Sequence, residues 1–94
     1  MSDTDAGTLR LDKWLWQARF YKTRSLAAQV CARGIVRLNR RAVDRAHAAV
    51  RPGDVLTLPL AGGRVRVVRV LALGERRGPA TEARLLYEEV EAPP

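Results

Sequence analysis

The chain has one cysteine, one histidine and only two lysines, Lys13 and Lys22, among its 94 residues. A single cysteine excludes an intramolecular disulfide, and with a single histidine beside it no ligand set for a structural zinc site exists. Cys31 falls on the apolar face of a predicted helix, where a buried, inert thiol is the ordinary outcome. His47 sits among alanines in a predicted loop and reads as a solvated surface residue. No apolar run approaches the length needed to cross a bilayer, and the opening MSDTDAGT lacks the apolar region of a signal peptide. A cytoplasmic protein with no membrane attachment is expected. Carboxylate pairs at acid–base spacing and phosphate-cradling glycine motifs are missing too. Asp12, near a helix start, and Asp54, in a turn, have sufficient structural explanations. No enzymatic activity, metal or cofactor is therefore expected.

What is present is positive charge in one place. The net charge is +7, from 17 Lys/Arg against 10 Asp/Glu. Eleven of those cations lie between Arg10 and Arg51, opposed only by Asp12 and Asp44, so this stretch carries +9 and the remainder is slightly acidic. Charge gathered on one structural unit is the footprint of a phosphate-binding surface. A pI near 11.0 points to the same class of partner. The apolar fraction of 47% suffices for the core of one small domain, which excludes a disordered basic tail.

Read in order, residues 1–8 look like a disordered lead, with Thr8 a candidate helix cap. Leu11, Trp14, Leu15 and Ala18 follow at helical spacing and define one buried stripe. Lys13, Trp16 and Phe20 fall on the opposite side, with Arg10 and Gln17 at its margin. There the two aromatics either stack bases or are covered by another part of the domain; two bare rings are costly, and the final helix is the expected cover. Thr23 caps a second helix from Arg24 to about Arg33, stopped by Gly34, with Leu26, Ala27, Val30 and Cys31 inward. Val36 and Leu38 alternate with Arg37 and Asn39 as a short strand, Asn39-Arg40 is a turn, and Val43 lies on a brief returning strand. Pro52-Gly53-Asp54 is another turn. Val55–Leu60 and Arg64–Leu73 form a hairpin on Gly62-Gly63, with a bulge near Val67-Val68 and Pro59 marking an edge strand. Thr81 is expected to cap a final helix with Leu85 and Leu86 inward, and residues 91–94 to fray. The fold class is α+β: two N-terminal helices packed on a small, mostly antiparallel sheet, with a C-terminal helix. Residues 9–90 make a single domain whose core is 10–56.

Arg10-Leu11-Asp12, Thr23-Arg24, Gly34-x-Val36-x-Leu38-Asn39 and Pro52-Gly53-Asp54 occur in this order. The ordered set resembles the alpha-L RNA-binding motif first defined in small-subunit ribosomal protein four. KWLWQARFYKTR and the late RRGPATEARLLYEE extend the likeness, so that residues 9–89 resemble the fifteen-kilodalton heat-shock protein family. That resemblance implies binding to ribosomal RNA of the large subunit, in rescue of stalled, dissociated subunits that carry nascent peptidyl-tRNA. It also implies that Arg10, Lys13, Lys22, Thr23, Arg24, Gln29 and Asn39 face RNA; Arg37, Arg40 and Arg41 of the next hairpin join them on charge. This chain departs from the family pattern in three places. Asn39-Arg40 stands for the usual Asn-Gly, Ala46-His47 replaces a Pro-Ser, and acidic residues with Pro93-Pro94 stand where a lysine-rich extension is usual.

The reading is a non-enzymatic, monomeric protein that binds ribosomal RNA on the large subunit, with tRNA as a second candidate partner. Its rivals are an accessory module of a pseudouridine synthase, distinguished by a uridine-isomerisation assay, and a general polyanion binder. Equal affinity for RNA, DNA and heparin would mark the latter.

Overall fold

The structure, a computed structural model, describes residues 4–5 and 7–91. It is α+β with two antiparallel sheets. The order along the chain is β1 (Thr4–Asp5), β2 (Thr8–Arg10), α1 (Leu11–Gln17), α2 (Arg24–Ala32), β3 (Val36–Leu38), β4 (Arg41–Val43) and β5 (Ala49–Val50). Then come β6 (Val55–Pro59), β7 (Val65–Val70), the single helical turn α3 (Ala80–Ala83) and β8 (Tyr87–Glu89). The smaller sheet runs β1-β2-β5 and the larger β4-β3-β6-β7-β8.

The first correction falls in the lead. Of the segment expected to be disordered, residues 1–3 and 6 lie outside the described residues, and Thr4–Asp5 pairs with Thr8 and Leu9 in a ladder. Thr8 is thus a strand residue. Arg10 occupies the cap position of α1 instead, without a side-chain cap bond. The free amides at the helix start are satisfied by the chain ahead: Leu11 N–H donates to the Ala48 carbonyl at 2.8 Å and Asp12 N–H to Ala46 at 3.0 Å.

Leu11, Trp14, Leu15 and Ala18 are buried as the spacing requires, against Ala27 and Cys31 of α2 and Val36, Leu56, Val68 and Val70 of the larger sheet. Helix α1 is shorter than its pattern. It closes with Phe20 N–H donating to Leu15 O at 3.0 Å and Arg19 N–H to Trp16 O at 3.1 Å. This is the Schellman arrangement, with Arg19 (φ 65°) in the left-handed position that usually takes glycine. Phe20 therefore leaves the helical face it was expected to share with Trp16 and turns inward. Its ring centroid lies 5.8 Å from that of Trp14 and 4.7 Å from that of Tyr87.

Helix α2 starts as expected, the Thr23 hydroxyl accepting from Leu26 N–H at 3.0 Å, and ends at Gly34 (φ 73°). Its face is narrower than expected, because Leu26 is 41% exposed. The β6–β7 ladder runs unbroken from Val55–Arg69 to Pro59–Val65, so the doublet Val67-Val68 contains no bulge. Both valines are buried, Val68 in the core and Val67 on the other face. Pro59 is not on an edge either: β6 lies between β3 and β7. The pairing of β3 reaches only Leu56 and Thr57, so the missing N–H of Pro59 has no strand beside it to serve.

The C-terminal helix is brief. The turn α3, continued by a 3-10 turn over Arg84–Leu86, begins after Pro79, and Thr81 caps nothing. Leu86 packs on the core, but Leu85 is 72% exposed. Glu88 and Glu89, good helix formers, lie in β8 because pairing with β7 sets them against Arg69 and Arg66. The cover over helix α1 is the loop before α3. Trp14 Nε1 donates to Ala72 O at 2.9 Å and Gln17 Nε2 to Leu73 O at 3.0 Å. Arg77 donates to Trp16 O and holds its guanidinium 5.8 Å from the Trp16 ring centre.

Candidate nucleic-acid interface

The basic stretch presents two groups of side chains. The first gathers where β2 passes into α1 and where α2 begins, because Arg10, Asp12 and Arg24 stand at those two junctions. The Asp12 side chain is 4% exposed, whereas those of Arg10 and Arg24 are 38% and 35% exposed. Arg10 is bidentate, its Nε and Nη2 each 3.1 Å from a different Asp12 oxygen. Arg24 Nε lies 3.5 Å from Oδ2, and the Lys13 backbone N–H donates to Oδ1 at 2.8 Å. An inner carboxylate at the start of α1 thus joins two half-exposed guanidiniums, one from the end of β2 and one from the start of α2. Lys13 is half-buried in the same turn, and Lys22, Thr23 and Gln29 are exposed.

The second group is the β3–β4 hairpin. Arg37, Arg40 and Arg41 are exposed, and Arg37 Nη1 reaches Arg40 O at 3.5 Å. Leu38, Asn39, Arg40, Arg41 and Val43 line an open groove of about 650 Å³. Asn39 is exposed but committed: its Oδ1 accepts from Val55 N–H at 3.0 Å and its Nδ2 donates to Asp54 at 3.3 Å. It also takes φ 60°, a left-handed value that asparagine tolerates better than most residues. Replacing the usual glycine by Arg40 is accommodated because Asn39 takes the left-handed place.

The cations beyond Arg51 are differently placed. Arg66 pairs with Glu89, Arg69 with Glu88 and Arg76 with Glu82. Arg66 also sits 4.9 Å over the Phe20 ring centre. Cys31 is fully buried, and burial, with the Asp12 charge as a lesser cause, pushes its thiol up to about 11. That leaves it protonated and unreactive at neutral pH. The residue that sequence reasoning undervalued is Asp12. Its signal was there, an acid two places from Arg10 in a stretch almost without acids.

Residues 9–56 match the S4 domain family. The chain belongs to it. It is 46% identical to heat shock protein 15 of Escherichia coli strain K12 over 89 residues, which are 95% of this chain and 65% of that protein. A solved structure described as trimeric heat shock protein 15 of Vibrio cholerae superposes with a TM-score of 0.80 at 38% identity, covering 88% of this chain and 82% of that one. Within the S4-domain family the chain thus groups with heat shock protein 15. A more distant relative is the small ribosomal subunit protein uS4 of Thermodesulfovibrio yellowstonii, 33% identical over 70 residues, or 73% of this chain and 34% of that protein. The S4 match begins at Leu9 and ends at Leu56, so it takes in both groups of the interface. No helix among the described residues is long and apolar enough to cross a membrane.

Proposed function

We propose that this protein is a non-enzymatic, cytoplasmic RNA-binding protein that docks on ribosomal RNA of the large subunit. There it would act in the rescue of stalled subunits that still carry peptidyl-tRNA. The observation that carries the reading is the division of charge. Arg37, Arg40 and Arg41 of the S4 domain stand exposed on the β3–β4 hairpin, and Arg10 and Arg24 share the single buried Asp12, while Arg66, Arg69 and Arg76 each pair with a glutamate of their own. A backbone phosphate approaching the first set meets net positive charge and displaces counterions; approaching the second, it meets one carboxylate for each arginine. Arg10, Lys13, Lys22, Arg24, Arg37, Arg40 and Arg41 supply phosphate contacts in this reading, with Gln29 a polar contact from α2. Thr23 and Asn39 support the surface by fixing a helix start and a turn. The name of the uS4 relative, a ribosomal subunit protein, favours ribosomal RNA over other polyanions. The large subunit and peptidyl-tRNA come from the family resemblance seen in the sequence.

Cross-linking to RNA inside cells, followed by sequencing of the attached fragments, tests this directly. Fragments from large-subunit RNA are expected, and an even spread over cellular RNAs would overturn the assignment. One chain is the binding unit in this reading; light scattering that returned the mass of three chains, the state described for the V. cholerae relative, would overturn that part.

A further inference from the structure

The least expected charge on the basic face is a negative one. A carboxylate among RNA-facing arginines repels phosphate, and Asp12 is placed where it cannot be swung away. Its side chain is 4% exposed and is held by its own turn through the Lys13 N–H at 2.8 Å. Two contacts bind Arg10 to it in a flat, bidentate pair, and Arg24 reaches it from the other helix. An arginine side chain loses rotamer freedom when it is fixed. Two arginines held in place by the fold have given up much of that before any ligand arrives. Each guanidinium has five N–H donors in a fixed fork, so the donors turned towards Asp12 set the direction of the others.

We infer that Asp12 is a positioning residue of the RNA site: it holds Arg10 and Arg24 side by side so that they take one backbone phosphate as a unit. The inference rests on the RNA-binding reading above. The net charge of the three side chains is +1, so a single phosphate monoanion matches the cluster in charge as well as in geometry. Asp12 itself touches no RNA. Its role is exerted through the two arginines.

This predicts an effect opposite in sign to simple charge counting. Removing a carboxylate from a basic face should tighten RNA binding if long-range attraction decides affinity. Under positioning, Asp12→Asn should weaken it by about tenfold, the loss expected for one oriented charge-assisted hydrogen bond. The measurement is affinity for an in-vitro transcript of large-subunit ribosomal RNA at fixed salt, on protein whose folding is checked by circular dichroism. The same substitution is then made in an Arg10→Ala/Arg24→Ala background. There nothing remains to position, and Asp12→Asn should leave affinity unchanged or raise it. Tighter binding by Asp12→Asn in the native background, or equal weakening in both backgrounds, overturns the inference. Should Asp12→Asn fail to fold, Arg10→Lys keeps the charge and loses the fork. It should also weaken binding, and unchanged affinity would overturn the inference. If the native protein and the double alanine variant bind the transcript equally, the RNA-site reading fails instead.

Discussion

Asn39 clasps Val55 at both ends of its own structure: its backbone N–H donates to the Val55 carbonyl at 2.6 Å, and its side-chain Oδ1 accepts from the Val55 N–H at 3.0 Å. The β3–β4 turn is thereby tied to the start of β6, and Asp54 completes the knot through Asn39 Nδ2. Asn39→Ala removes two side-chain bonds and places a less tolerant residue at φ 60°. The expected loss of stability is about 1–2 kcal/mol. In chemical denaturation the midpoint should fall at constant slope, while RNA affinity of the folded protein changes little. A large loss of affinity at unchanged stability would show Asn39 to be an RNA contact, as the family resemblance implies.

Salt should govern the affinity. With about six cation–phosphate contacts, log K should fall linearly with log salt at a slope of magnitude roughly 4–5, single- and double-stranded RNA giving the two ends of the range. Titration of a ribosomal RNA transcript at several potassium concentrations measures it. A nearly flat line would remove phosphate contact as the main source of affinity.

Location within the basic stretch should matter as well. Arg24→Ala and Lys13→Ala should each weaken RNA binding by about 1 kcal/mol or more. Arg76→Ala, whose side chain already serves Glu82, and Arg84→Ala should do much less. Equal costs at all four positions would show that the charge acts diffusely.

How much of this was open to reading from the sequence depends on how locally each feature is encoded. The start and stop of α2 were legible because one threonine and one glycine encode them. The end of α1 was not, since Arg19 supplies the left-handed residue without the glycine that would announce it. The Phe20 error follows from that miss. Strand β8 was hidden for a different reason: Glu88 and Glu89 favour helix on their own, and only Arg69 and Arg66, about twenty positions away, make a strand of them. At the interface, the cations were visible as charge, and Asp12 was visible as a residue. Its position inside the arginine pair required two helices to be brought together.

The two tryptophans should part company. Trp14 is fully buried with its indole N–H bonded to Ala72 O, so Trp14→Ala should cost about 3–5 kcal/mol. Trp16 is half-buried with the Arg77 guanidinium over its ring, and Trp16→Ala should cost only about 1–2 kcal/mol. Thermal melts followed by circular dichroism rank the two. If Trp16→Ala keeps its melting temperature and loses RNA binding, the ring is a base-stacking platform.

Cys31 gives a dependence on alkaline pH. Its thiol is raised from 9.0 in the unfolded chain to about 11 in the fold, so the folded protein holds this proton over a window where the unfolded chain releases it. The contribution is fully present below pH 9.0 and is lost as pH rises through that window to about 11. Stability from denaturant melts should fall across it, and Cys31→Ala or Cys31→Ser should flatten the fall. At neutral pH a thiol reagent should label Cys31 only as fast as the chain unfolds.

The glutamates of β8 do more than hold an edge strand. By cancelling Arg66 and Arg69 they leave the molecule electrically lopsided, with its positive pole on the S4 side. In the field of a polyanion such a body feels a torque as well as a pull, and it turns before it touches. On the docking reading proposed above, the acid pair would act as a rudder: it would select the side that lands and keep collisions on the other side brief. Reversing both to lysine would leave the landing face intact and yet slow productive docking, because the molecule would then stick whichever way it arrived.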